Sequence, residues 1–109
     1  MTTISFRTEN GRITGFECRG HSGFGCEGQD IVCAAVTSAV RLVECALGDV
    51  MGLKVHVKTD AEQALISLRL PGGLAPEEEE TSQTLLSALM VYLAGLREEY
   101  PDNIDVLEV

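Results

Sequence analysis

His21 precedes Cys33 by twelve positions, and the two are separated by a segment holding Gly23, Gly25 and Gly28, with Gly20 just before it. A cysteine becomes a nucleophile as its thiolate, and a free thiol titrates near ~8.5, so it needs help at neutral pH. A neighbouring imidazolium supplies that help, as does a helix N-terminus. Cys33 stands in the run Asp30-Ile31-Val32-Cys33-Ala34-Ala35, which reads as the first turn of a buried helix. Asp30 has the chemistry of an N-cap, and this predicts Cys33 near the third helical position, where unpaired backbone N–H groups point outward. Such donors hold an oxyanion, with the Cys33 N–H one of them. The crowded glycines suit a loop that bends tightly, opens for a substrate and orders on binding.

Blander readings stand beside this one. A cysteine among Ile, Val and Ala is ordinarily a small core residue. Cys18, His21, Cys26 and Cys33 also offer four zinc-ligand types within sixteen residues, but without a C-x-x-C pair. Cys26, inside the loop, reads as an inert loop residue, a redox partner for Cys33 or a competing nucleophile, and it is open to oxidation in each case. A noncatalytic adaptor whose helical faces bind a partner is the remaining alternative, in which Cys33→Ala would leave function intact.

The stretches Gly20-His21-Ser22-Gly23 and Gly28-Gln29-Asp30-Ile31-Val32-Cys33-Ala34-Ala35-Val36, with Ser38 just beyond, resemble the ribosomal-processing cysteine protease (Prp) family. Length and the order of elements fit that family from end to end, while the specific motif lies in residues 20 to 38. The resemblance implies that His21 and Cys33 form a catalytic dyad supported by Asp30. It also implies a substrate, a large-subunit ribosomal protein with a short N-terminal extension cleaved after hydrophobic or aromatic residues, and it implies a homodimer. Cys26 departs from the family pattern. The reaction expected is acyl transfer to sulfur: His21 takes the Cys33 proton, the thiolate attacks a peptide carbonyl, His21 protonates the leaving amine, and water frees the acyl-enzyme.

The elements that must position this pair read as strand-strand-helix-strand-strand-helix-strand, a single α+β domain over residues 1–109 with a mostly antiparallel sheet. Thr2 to Phe6 and Ile13 to Cys18 flank Glu9-Asn10-Gly11, where Asn-Gly signals a hairpin, so His21 follows a strand end. The stretch from Asp30 to Leu47 is apolar on nearly every side, is expected to stop at Gly48, and needs two partners: the sheet, and either the second helix or another subunit. Cys45 is expected in the core. Leu53 to Lys58 alternates, putting His56 on the solvent face, and Ala64 to Leu70 pairs with it across Thr59-Asp60-Ala61-Glu62. Glu77 to Glu80 would suit a metal or a basic partner. They precede a helical pattern in Leu85, Leu86, Leu89, Met90, Leu93 and Leu96, where first-turn carboxylates behind Pro76 complement the helix dipole. Arg97 and Pro101 close that helix, and Ile104 to Val109 supplies a last strand.

Charge and composition exclude more than they assign. A formal charge of −9 argues against direct nucleic-acid binding, which needs clustered Lys and Arg. It suits a basic partner such as a ribosomal protein. Met1-Thr2-Thr3-Ile4-Ser5-Phe6 does not read as a signal sequence, so the four cysteines are expected reduced in a cytoplasmic protein. No apolar run is expected to span a bilayer. No phosphate-binding glycine pattern stands between a strand and a helix in the usual spacing, so no cofactor is expected, and no repeat or linker divides the chain.

Overall fold

The computed structural model describes the backbone of residues 1–20 and 27–109 and the side chains of residues 1–20 and 31–109. Strands β1 (Thr2–Glu9) and β2 (Arg12–Arg19) form the expected hairpin. Its turn residues Asn10 and Gly11 have φ of 53° and 78°, the left-handed pair that matches the twist of a two-residue hairpin. On its other side β2 pairs with β4 (Leu65–Arg69), and β4 pairs with β3 (His56–Asp60), all antiparallel. The last strand, β5 (Ile104–Glu108), lies parallel to β1, with Thr2 opposite Ile104. The sheet order is β3-β4-β2-β1-β5. The element order and the α+β class are as the sequence predicts.

Both helices cover one face of this sheet. Helix α1 (Glu27–Cys45) contributes Val32, Val36, Val40 and Val43, spaced so that one stripe faces the core. Helix α2 (Pro76–Glu99) contributes Leu86, Leu89, Leu93 and Leu96. They meet Ile4, Phe6, Phe16 and Cys18 from the central hairpin, with the Phe6 and Phe16 ring centroids 6.0 Å apart. Met90 packs at the margin of this core. Two contacts tie α2 to the hairpin. Arg12 pairs with Glu79 through two hydrogen bonds of 2.5 and 2.6 Å, and the Gln83 amide both accepts from the Ile13 N–H at 2.7 Å and donates to the Ile13 carbonyl at 2.8 Å.

Several expectations are corrected. Helix α1 begins at Glu27, not after Asp30. It also runs past Gly48: a π-helical turn spans Ala46–Val50, the Met51 N–H bonds the Ala46 carbonyl, and the chain breaks out at Gly52 with φ of +73°. Gly48 lies inside that turn without a positive φ, so it is not the residue that stops the helix. Cys45 is exposed rather than buried, because it lies off the valine stripe. Strand β3 starts at His56 because Leu53 turns inward to the core and its N–H bonds the Leu47 carbonyl. The exposed position of His56 is as expected. By length and composition the stretch Ile31–Val50 is apolar enough to cross a bilayer, contrary to the sequence expectation. Its valine stripe packs in the core of this fold.

The sheet provides the first partner that α1 needs, but α2 covers only part of its remaining surface. Leu42 is 70% exposed, and an open groove of ≈ 460 Å³ between the helices is lined by Ala39, Leu42, Leu85, Leu89 and Tyr92.

Candidate active site

Cys33 lines a second groove, of ≈ 400 Å³, between α1 and the β3–β4 hairpin. Its floor is a cross-strand row, since Cys18 on β2 is opposite Ile66 on β4 and Ile66 is opposite Thr59 on β3. One wall is a stripe along α1, where Cys33, Thr37 and Arg41 recur every fourth residue and therefore share a helix face. The turn from Asp60 to Ala64 forms the other wall. That turn is held by the Asp60 carboxylate, whose Oδ1 accepts from the N–H groups of Glu62 at 3.0 Å and Gln63 at 3.4 Å. Gly20 closes the end of the groove near Cys33, with φ of +75° and a Cβ position only 2.9 Å from the Met1 carbonyl oxygen. Both the dihedral and the space favour glycine there.

Two sulfurs share this groove, and burial separates their chemistry. Cys18 is buried, and loss of water pushes its thiol up to about 11, with the nearby Cys33 adding a smaller push in the same direction. Cys18 is therefore protonated at neutral pH and is a poor nucleophile or metal ligand. Cys33 is half-buried and reaches the groove. The Thr2 hydroxyl also borders the groove, is buried, and has no hydrogen-bond partner among the described residues.

Of the other residues singled out by sequence, His21 and Cys26 lie outside the described residues, as does the glycine loop expected to open and order. His21 is bonded to Gly20, which borders the same groove as Cys33. The backbone of Asp30 belongs to α1, and its side chain lies outside those described. With α1 starting at Glu27, Cys33 is its seventh residue, beyond the first four N–H groups that a helix leaves unpaired. This removes Asp30 as N-cap and the Cys33 N–H as an oxyanion donor. Among the described residues no three metal-ligating side chains converge.

A family model described as cysteine protease Prp matches residues 1–105. The chain belongs to the cysteine protease Prp family. This Prp-family chain is 30% identical over 100 residues to the ribosomal processing cysteine protease Prp of Bacillus subtilis (strain 168), an alignment covering 92% of this chain and 89% of that one. Its fold is that of the essential ribosomal processing protease Prp from S. aureus in complex with a substrate peptide, with a TM-score of 0.85 at 22% identity and full coverage of both chains. The S. aureus Prp with a covalently linked product peptide gives 0.83 at 24% identity, again over both whole chains. A thiol enzyme that hydrolyses peptide bonds is what the family is, and of the described cysteines Cys33 is the half-buried one that lines this groove.

Sequence reading missed the rest of the groove. Thr37 and Arg41 follow from Cys33 by helical spacing once the helix is accepted, so their signal was available. Thr59 and the Asp60 turn come to the site through strand pairing, which local sequence does not reveal.

Proposed function

We propose that this protease removes the N-terminal extension of a large-subunit ribosomal protein, using Cys33 as nucleophile and His21 as general base and acid, with residues 1–109 forming one catalytic domain. The observation that carries the reading is the half-buried Cys33 thiol facing a largely apolar groove, in a chain whose family match runs almost end to end. The groove suits an extended peptide with hydrophobic or aromatic residues next to the cleaved bond. In the reaction His21 accepts the Cys33 proton, sulfur bonds to the peptide carbonyl carbon, and the carbon–nitrogen bond breaks as His21 returns the proton to the amine. Water, deprotonated by His21, then cleaves the thioester and frees the enzyme. Asp30 is assigned a supporting role toward this pair.

The same reading places the enzyme in the cytoplasm, with reduced cysteines and a basic protein substrate for its −9 charge, and with no direct contact to nucleic acid or membrane. It also makes the enzyme a homodimer, in which the exposed side chains of Leu42, Val91 and Tyr92 are covered by a second copy.

The test is mass spectrometry of a peptide spanning the extension junction, and of the full-length extended protein, after incubation with wild type, His21→Ala, Cys33→Ala and Cys26→Ala under reducing conditions. Cleavage that requires His21 and Cys33 but not Cys26 is expected. Intact substrate with wild type in both formats would overturn the assignment.

A further inference from the structure

We infer that Arg41 is a specificity-determining residue, binding a planar oxygen acceptor of the substrate, a carboxylate or carboxamide side chain, three to four residues from the cleaved bond. This rests on the protease reading above. Arg41 lines the same groove as Cys33 and lies eight residues along the same face of α1. At 1.5 Å per residue that is about 12 Å along the helix axis. An extended peptide advances about 3.3 Å per residue, so the same distance spans three to four substrate residues.

The guanidinium is set apart by the groove it lines. Arg12, Arg19 and Arg97 are paired with Glu79, Glu17 and Asp105 respectively, whereas the Arg41 side chain, like those of Arg7 and Arg69, has no ion-pair or hydrogen-bond partner among the described residues. It is also the one cation among the described residues lining a groove whose floor is Cys18, Ile66 and Thr59. Asp60 lies across the groove, but its Oδ1 is engaged by the N–H groups of its own turn. A guanidinium presents parallel N–H donors in a rigid fork that fits two acceptor positions of a carboxylate and one of a carboxamide. Next to an apolar floor, such a contact selects by polarity along an otherwise greasy track.

A peptide series carrying Glu, Gln or Leu at the third and fourth positions on either side of the cleaved bond, assayed with wild type, Arg41→Met and Arg41→Lys, tests this. Wild type is expected to favour Glu or Gln over Leu about tenfold in kcat/KM at one of those positions, chiefly through KM, and the Glu and Gln arms show which acceptor it takes. Arg41→Met is expected to shrink that ratio below twofold, and Arg41→Lys to keep part of it for Glu. Because Arg41 is exposed, Arg41→Met should melt with wild type. Fluorescence anisotropy of the same peptides on Cys33→Ala and on Cys33→Ala with Arg41→Met gives a readout independent of cleavage. Arg41-dependent binding without any cleavage by wild type would sink the protease reading and keep the Arg41 assignment. A preference unchanged by Arg41→Met, in cleavage or in binding, overturns the assignment.

Discussion

Cys18 borders the same groove as Cys33 but is buried, and its burial has a consequence for stability. The Cys18 thiol is raised in the folded protein from the ordinary 9.0 to about 11. A raised group stabilises the fold fully below its unfolded value, and that stabilisation is lost as pH climbs toward the folded value. Unfolding free energy should therefore fall between about pH 9 and pH 11, by on the order of 2 kcal/mol from this group. Urea titrations across that range should show the slope, and Cys18→Val should flatten it. At this scale the sequence was legible where chemistry is carried by residue type: the motif of residues 20 to 38 pointed to the cysteine protease family that the comparison shows. It misplaced Cys45 in the core, because apolar character says nothing about which side of a helix a residue occupies.

Among the elements, the close join of β2 to β4 is the tightest constraint. A Cβ on Gly15 would lie 2.3 Å from the Leu68 carbonyl oxygen, so any side chain must push the two strands apart. Gly15→Ala is expected to destabilise the fold by more than ~2 kcal/mol, read as a shift in the denaturant midpoint. Because β4 forms the groove floor beside Cys18, activity should fall with it. Helix α2 is fastened to the hairpin through Gln83, and Gln83→Leu would strip partners from both the N–H and the carbonyl of Ile13. Buried backbone groups left unpaired cost about 1–3 kcal/mol, so thermal melting should register that loss too. Period and turn chemistry made the hairpin, both helices and the closing strand legible in advance. The π-helical turn through Gly48 was not, because its continuation depends on Leu47 entering the core and on Leu53 returning to pair with it.

For the whole molecule, the helix layer is finished on the sheet side and open on the other. Leu42 and Tyr92 are exposed at 70% and 54%, on either side of the groove between α1 and α2. If a second copy covers them, Leu42→Glu should convert a dimer of roughly twice the 11.7 kDa chain mass into a monomer in sedimentation equilibrium, with the melting curve moving to lower temperature. An unchanged mass would remove this face from the assembly. The parallel pairing of β1 with β5 has a kinetic meaning as well. Thr2 meets Ile104 across almost the full length of the chain, and contacts this distant in sequence slow folding because loop closure precedes their reward. During synthesis β1 therefore waits for its outer neighbour until Ile104 and the rest of β5 have emerged.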